Sequence, residues 1–389
     1  MIASACRTGV GKFGKSLFGV PAPKLGSTVV REAVSRAGLG LKEVEEVIMG
    51  NVISAGLGQN PARQAAVLAG VPVHVGSLTV NKVCGSGLKA VMLAAQAVKA
   101  GDAQVVVAGG MENMSNAPYL VDRSRGAQHT RDVEMRDSMI VDGLWDVYND
   151  FHMGMTGERV ARKYGVNRKQ ADEYAYESHM KAQRATEGGR FKQEIVPVEV
   201  RRDGKVGTFE LDECIRADTT PSKLATLKPA FKPDGVLTPG NSSQLSDGAS
   251  AVVVMDEARA KKKAIPPLAR IVAYETGGTK PEDVMEAPLP TVRSLLRRTR
   301  LAIADIDLVE YNEAYAVSSI VVRDELDIPK SRFNVNGGAV ALGHPLGCSG
   351  ARILTTLIYE MRRRGAERGL ATLCLGGGNA VAMIIEVSA

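Results

Sequence analysis

The chain repeats itself at a fixed offset. Thr28-Val-Val-Arg-Glu-Ala-Val leads through Leu39 to Val44-Glu-Glu-Val-Ile-Met-Gly-Asn51, and Thr291-Val-Arg-Ser-Leu-Leu leads through Leu301 to Ile306-Asp-Leu-Val-Glu-Tyr-Asn312. Each copy reads as an amphipathic helix, a short acidic turn and a β-strand. Cys84-Gly-Ser-Gly opens one later helix and Gly347-Cys-Ser-Gly opens another. Thr28 and Thr291 are 263 residues apart, and so are Ser86 and Ser349. Two landmarks sharing one offset point to a duplicated unit, so the chain must build two similar halves. In both, strands alternate with helices, which predicts α/β architecture with mostly parallel sheets covered by helices.

The repeat also locates an insertion. Late in the chain, Ala371-Thr-Leu-Cys-Leu meets Gly376-Gly-Gly and returns at once as Ala380-Val-Ala-Met-Ile-Ile. Val105-Val-Val-Ala-Gly-Gly110 has the same strand-then-glycine form, but its return strand reads as Gly248-Ala-Ser-Ala-Val-Val-Val-Met255. The expected organisation is therefore a first half over 1–110 completed by a return segment at 248–265, an inserted loop domain over 111–247, and a second half over 266–389. Substrate-binding elements belong naturally in such an insertion.

Composition narrows the function classes. Of 389 residues, 44% are hydrophobic, so a packed core rather than disorder is expected. A net charge of +6 spread over scattered lysines and arginines, with only 4% aromatics, argues against a nucleic-acid surface. It suits a small phosphate-bearing ligand. The five cysteines, Cys6, Cys84, Cys214, Cys348 and Cys374, form no zinc spacing and no disulfide framework. No metal is expected. The N-terminal segment lacks the form of a signal peptide, and no apolar run approaches the ~20 residues needed to span a bilayer. A reducing, cytoplasmic-type compartment is the expectation.

Cys84 sits at a strand-to-helix turn, where free backbone N–H groups and the positive end of the helix dipole are expected to favour a thiolate. His344 lies in the glycine-dense, uncharged run Asn336 to Gly350, between Gly343 and Pro345; an imidazole there can take a thiol proton. Cys374 ends an apolar strand just before Gly376, Gly377 and Gly378. It reads either as a buried strand cysteine or as a proton-transfer thiol, and the glycines can offer N–H groups to an oxyanion. Asn312-Glu-Ala follows an apolar strand and reads as a turn or as a site element. Asn241-Ser-Ser-Gln is an ordinary turn or a binder of an extended polar ligand. Arg216 and Lys228 are solvated or meet phosphates. Cys6, Cys214 and Cys348 read as structural.

Together these elements resemble the thiolase family over nearly the whole chain. Val83-Cys-Gly-Ser-Gly, Asn312-Glu-Ala, Gly343-His-Pro and Cys374-x-Gly-Gly-Gly stand in the family's order and spacing. Asp142-Gly-Leu-Trp-Asp with His152-Met-Gly resembles the loop domain of the short-chain members. The resemblance implies a five-layer αβαβα fold from two halves with mixed, mostly parallel sheets. It implies that Cys84 carries the acyl group as a thioester and that His344 activates it. Asn312 would position a water beside His344 in one oxyanion hole, and the N–H groups of Cys84 and Gly376 would form the other. Cys374 would move the proton on the α-carbon. Coenzyme A would lie near Leu144, His152, Met153, Arg216, Phe231 and Ser243, with Ala314 and Tyr315 at the thioester end.

The implied reaction is reversible Claisen condensation of two acetyl-CoA to acetoacetyl-CoA and CoA, with coenzyme A thioesters as substrates and no cofactor. The implied assembly is a homotetramer paired through a loop around Tyr119 to Asp142, with no nucleic acid or membrane partner. Two departures from the family pattern stand out. Arg-Thr-Pro near the start reads Arg7-Thr8-Gly9. Met-Gly-x-Gly-Pro, which adjoins the acyl pocket, reads Val284-Met-Glu-Ala-Pro288. A degradative thiolase for longer 3-ketoacyl chains is therefore a competing expectation. A non-catalytic acyl-CoA-binding protein is another, although all four reactive positions are present. A ketoacyl synthase would place a second histidine at Asn312 and lack the Cys374 thiol.

Overall fold

The computed structural model describes residues 1–121, 134–202 and 204–387. Its first sheet contains β1 (Ile2–Thr8), β2 (Glu46–Gly50), β3 (Gly76–Val80), β4 (Val105–Asn113) and β5 (Ser246–Met255), in the order β1-β5-β4-β2-β3. Its second contains β6 (Arg270–Gly278), β7 (Leu308–Tyr311), β8 (Arg368–Leu375) and β9 (Asn379–Glu386), in the order β6-β9-β8-β7. The two orders match strand for strand across the repeat. The fifth position, β3 in the first sheet, is reduced in the second to a single parallel bridge between Val309 and Phe333.

The sheets are mixed, but their parallel share is smaller than expected. Among the described residues, the strands paired in parallel are β2 with its two neighbours, β7 with β8, and β1 with the short insert strand Ile195–Val196. β5 runs antiparallel to β1 and β4, and β9 runs antiparallel to β6 and β8. The return strand lies inside each sheet and must run against the strand it doubles back from. The 263-residue offset revealed the elements but not that central placement.

Strand alternation divides the interior into three cores. Val105 and Val107 of β4 face the outer core of the first half, while Val106 and Ala108 face the centre. On β8, Leu370 and Cys374 face the outer core of the second half, while Ala371, Leu373 and Leu375 face the centre. Between the sheets lie the helices Ser86–Ala100 and Leu346–Arg364, packed on each other. The second is buried at every position from Leu346 to Ile358, as its middle layer requires. Helices Ala22–Arg36 and Pro61–Ala69 cover the first sheet from outside; Pro288–Thr299 and Ala316–Glu325 cover the second. Five layers result.

The two central helices cross at equivalent glycines. A Cβ on Gly87 would stand 2.8 Å from the Ala351 nitrogen, and one on Gly350 would stand 2.4 Å from the Leu88 nitrogen. Only glycine permits this approach, so the repeated Ser-Gly is first a packing motif. Its effect is to bring both helix N-termini, and the loops before them, to one place.

Buried charges fasten the parts together. The Glu112 carboxylate, near the end of β4, accepts hydrogen bonds from Asn51 Nδ2 at 2.7 Å, Val52 N at 3.0 Å, Ile53 N at 3.2 Å and Gly347 N at 2.8 Å. The last of these reaches the opening of the other half's central helix. Glu313 accepts from Tyr174 and Ser178 of the insert helix Arg168–Glu187 at 2.8 and 2.7 Å. Arg7 bridges Glu194 and Asp212 of the insert, at 2.7 Å to each.

Glu112→Ala is expected to cost about 3 kcal/mol in urea unfolding, because it strands several buried donors at once. Burial raises the Glu112 carboxyl from its ordinary value to about 7. The folded state therefore holds a proton there that the unfolded state releases from about pH 4.5 upward. Glu112's contribution to stability falls as pH rises through that window. Glu112→Gln removes this slope, so the stability of wild type relative to the Gln variant is expected to decline from pH 5 to pH 8.

Candidate active site

Cys84 is held by a strained turn. The residue before it, Val83, has φ of +45°, a left-handed conformation that a β-branched side chain rarely adopts. Ser86 stabilises the turn: its Oγ donates to Val83 O at 2.6 Å and accepts from Lys82 N at 2.8 Å. The thiol is thereby presented at the mouth of helix Ser86–Ala100. At Gly85, a Cβ would lie 2.0 Å from Leu375 Cδ2, so the turn sits directly on the end of β8. The backbone N–H groups of Gly376 and of Cys84 itself reach the Cys84 sulfur.

The expected thiolate is not favoured. Burial pushes the Cys84 thiol up to about 12, and the neighbouring Cys374 adds to the rise. The two N–H groups pull the other way without reversing it. The helix dipole acts over one turn and is outweighed here by desolvation. Cys84 is therefore a neutral thiol at rest, and its attack needs a base.

His344 is placed to be that base. Burial first, and the Arg352 charge second, lower its imidazole to about 3, so it is neutral across the working range. Ser349, the repeat partner of Ser86, donates its only hydroxyl proton to Pro345 O at 2.8 Å. Ser349 Oγ also lies 2.6 Å from His344 Nδ1, and with its proton committed it can only accept there. A proton on Nδ1 given to Ser349 Oγ leaves Nε2 as the free base. Asn312 Nδ2 lies 3.2 Å from Nδ1 and 3.3 Å from Nε2, and His344 N is anchored on Gln244 O at 2.9 Å.

Cys374 ends β8 on the face toward the outer core and is 3% exposed. Tyr311 Oη donates toward its sulfur at 3.6 Å, and Met285 Sδ lies at 3.9 Å. Burial raises this thiol to about 11. A neutral thiol there is a proton donor.

Cys84, His344, Cys374 and Gly376 line one cavity of about 50 Å³, together with Leu144, Met153, Ser243, Ala314 and Tyr315. Leu144, Ser243, Tyr315 and His344 also line an adjoining outer cavity of about 250 Å³, which adds His152 and Phe231. His152 stacks on Phe231 at 4.9 Å, and Tyr315 meets Phe231 edge-on at 6.1 Å. Arg216 lines neither cavity. It stands behind the outer wall, donating to Gln244 Oε1 at 3.2 Å and Pro239 O at 3.5 Å. A larger groove of about 760 Å³ beside Met1, Lys99, Tyr274 and Arg298 contains none of the reactive groups, so chemistry rather than volume identifies the site.

Sequence reasoning missed Ser349, Tyr311 and Met285. Ser349 had a signal in its repeat relation to Ser86. Tyr311 had none beyond its place beside Asn312, and Met285 lay in the stretch that departs from the family pattern. Ser349→Ala frees the imidazole to take either tautomer. It is expected to lower kcat about 100-fold, with Ser349→Thr restoring the rate.

Comparison with known proteins agrees with this construction. The N-terminal domain model of thiolases matches residues 1–258, and the C-terminal domain model matches residues 265–387. An acetyl-CoA acetyltransferase of Cupriavidus necator is 51% identical over 99% of this chain and 98% of its own length. One of Escherichia coli is 49% identical over the same shares. The crystal structure of the Bacillus anthracis acetyl-CoA acetyltransferase superposes with a TM-score of 0.97 at 43% identity, covering 99% of this chain and 98% of that one. The duplicated fold is that of an acyl-transferring enzyme, and the chain belongs to the thiolase family.

Proposed function

We propose that the chain is an acetyl-CoA acetyltransferase, interconverting acetoacetyl-CoA plus CoA with two acetyl-CoA. One observation carries this reading: two thiols and a neutral imidazole, drawn from both halves, share a cavity of about 50 Å³. One thiol can hold an acyl group, and the second can serve the carbon beside it.

Thiolysis begins from the resting protonation states. His344 Nε2 takes the Cys84 proton as the sulfur attacks C3 of acetoacetyl-CoA. The oxyanion formed at C3 rests on the N–H groups of Cys84 and Gly376. The C2–C3 bond breaks, and C2 takes the Cys374 proton. His344, now carrying the proton from Cys84, steadies the enolate oxygen with Asn312, which by the family pattern holds a water there. Acetyl-Cys84 and acetyl-CoA result. Incoming CoA gives its thiol proton to the Cys374 thiolate and attacks the thioester. His344 returns its proton to the departing Cys84 sulfur, and the site is reset. Condensation is the same sequence reversed. No cofactor or metal is required.

Leu144, His152, Met153, Phe231, Ser243, Ala314 and Tyr315 line the path that coenzyme A would follow, and Arg216 stands behind its wall. Thiolysis assays over a series of 3-ketoacyl-CoA lengths test the reading. Activity highest on acetoacetyl-CoA supports it, and activity rising with chain length supports the degradative alternative. A protein that binds CoA with no turnover on any length would be the non-catalytic form.

A homotetramer is proposed on two surfaces. β3 is an edge strand with Leu78 45% exposed, and open edges invite pairing with a second copy. Tyr119, Val121 and Met135 are exposed on the small pairing of Tyr119–Val121 with Met135–Asp137. Residues 122–133 of that segment lie outside the described residues. Among the described residues no helix is long and apolar enough to cross a membrane. A cytoplasmic location is proposed with the rest.

A further inference from the structure

Tyr311 stands behind the second thiol. Its hydroxyl donates toward the Cys374 sulfur at 3.6 Å, yet the residue lines neither cavity of the site. It meets the thiol from the protein side rather than the substrate side.

Sheet register explains the contact. β7 and β8 run parallel with Tyr311 beside Thr372, so Tyr311 and Cys374 point to the same face, one step apart along the strands. Backbone and ring are both fixed. Asn334 Oδ1 accepts from Tyr311 N at 2.8 Å, and Asn334 Nδ2 donates to Tyr311 O at 2.9 Å. The side chain is wholly buried, and its ring stacks on Phe333 at 6.1 Å. Burial first, and Cys374 next, hold the Tyr311 phenol well above its usual range, so it keeps its proton. It is a permanent donor aimed at a thiol that must lose its own proton.

Under the proposed reaction, Cys374 gives its proton to C2. The S–H bond breaks, a C–H bond forms, and the electron pair stays on sulfur as a thiolate. Among the described residues, no lysine, arginine or carboxylate lines the cavity around it. The titratable groups facing Cys374 are Cys84, His344 and Tyr315 in the cavity and Tyr311 behind. His344 is cationic only while it holds the Cys84 proton, and it is then engaged with the enolate oxygen. With no fixed cation beside it, the thiolate depends on hydrogen bonds. Met285 Sδ, at 3.9 Å, has no proton to give. The donors at hand are Tyr311 Oη and the backbone N–H of Cys374 itself, and both ease loss of the thiol proton. A hydrogen bond strengthens when its acceptor becomes charged, so the phenol contributes most as the thiolate forms.

We propose that Tyr311 is a positioning residue for proton transfer at C2, holding the Cys374 thiolate by a hydrogen bond from its hydroxyl. This rests on the thiolase reading above and goes beyond it by assigning a group outside the substrate cavity that serves the second thiol alone.

The test compares wild type with Tyr311→Phe, which keeps the ring and removes the donor. Thiolysis of acetoacetyl-CoA is expected to fall about 10- to 100-fold, the scale of a hydrogen bond to a charged group. Acetyl exchange between acetyl-CoA and labelled CoA moves no proton at C2 and is expected to stay within about twofold. In a Cys84→Ser background, iodoacetamide labelling of the Cys374 peptide at about pH 8 follows the thiolate fraction. That labelling is expected to slow about tenfold or more on loss of the hydroxyl, whereas loosened packing would open the cavity and speed it. Should the Phe variant fail to fold, Tyr311 replaced by 3-fluorotyrosine keeps the shape and strengthens the donor, and faster labelling is expected. Equal losses in thiolysis and exchange, or labelling that does not respond to the hydroxyl, overturn the role of Tyr311. Wild-type inactivity on acetoacetyl-CoA overturns the thiolase reading instead.

Discussion

Cys84→Ser is expected to abolish thiolysis of acetoacetyl-CoA, lowering kcat by about 10⁴-fold or more. The hydroxyl can be held by the same strained turn, so the fold and CoA binding should survive. What disappears is the acyl-enzyme. Wild type incubated with acetyl-CoA is expected to gain the mass of an acetyl group on the peptide containing Cys84, and the serine variant none. The physical reason lies in the resting state. His344, lowered to about 3 by burial, is a weak base, and Cys84, raised to about 12, is a reluctant acid. A thiol can still pass its proton as the C–S bond forms; an alcohol, more basic by several units, cannot do so at this site. Full thiolysis by the serine variant would end the covalent scheme.

Cys374→Ala is expected to separate the two half-reactions. Proton delivery to C2 by a positioned acid contributes about 10²–10⁴-fold, and thiolysis should fall by that factor. Acetyl exchange between acetyl-CoA and labelled CoA moves no proton at C2, and His344 alone can carry the proton between the Cys84 and CoA sulfurs, so exchange should fall far less. The same variant empties the space against Met285 Sδ and Tyr311 Oη. A structural cysteine would lower both reactions together. Equal losses in thiolysis and exchange would therefore remove Cys374 from the proton-transfer role.

Much of the site was legible in the sequence. Cys84, His344, Cys374 and Gly376 line one cavity, and Asn312 contacts His344 beside it. The return of the first half through Gly248 to Met255 follows the repeat, but the place of that strand inside the sheet does not. Other features were misread or unseen. The Cys84 context suggested a thiolate because the local turn and helix dipole can be read from neighbouring residues. The burial that overrides them comes from β8 and helix Leu346–Arg364, hundreds of residues away. Glu112 fell within the expected insert of 111–247, yet it lies on β4 and holds Asn51 and the opening of the other half's central helix.

The repeat in the chain was enough to require two α/β halves, and its motifs placed Cys84, His344 and Cys374 at element ends, their roles being implied by the resemblance to thiolases. Those are properties of periodicity and local turns, which a linear sequence carries. Protonation states, the partners of the His344 ring and the closing of the cavity by Met285 were decided only by folding. Each depends on what is excluded from, or pressed against, a group by remote parts of the chain. Desolvation and contact are tertiary quantities, and here they turn two buried cysteines into neutral partners of one imidazole.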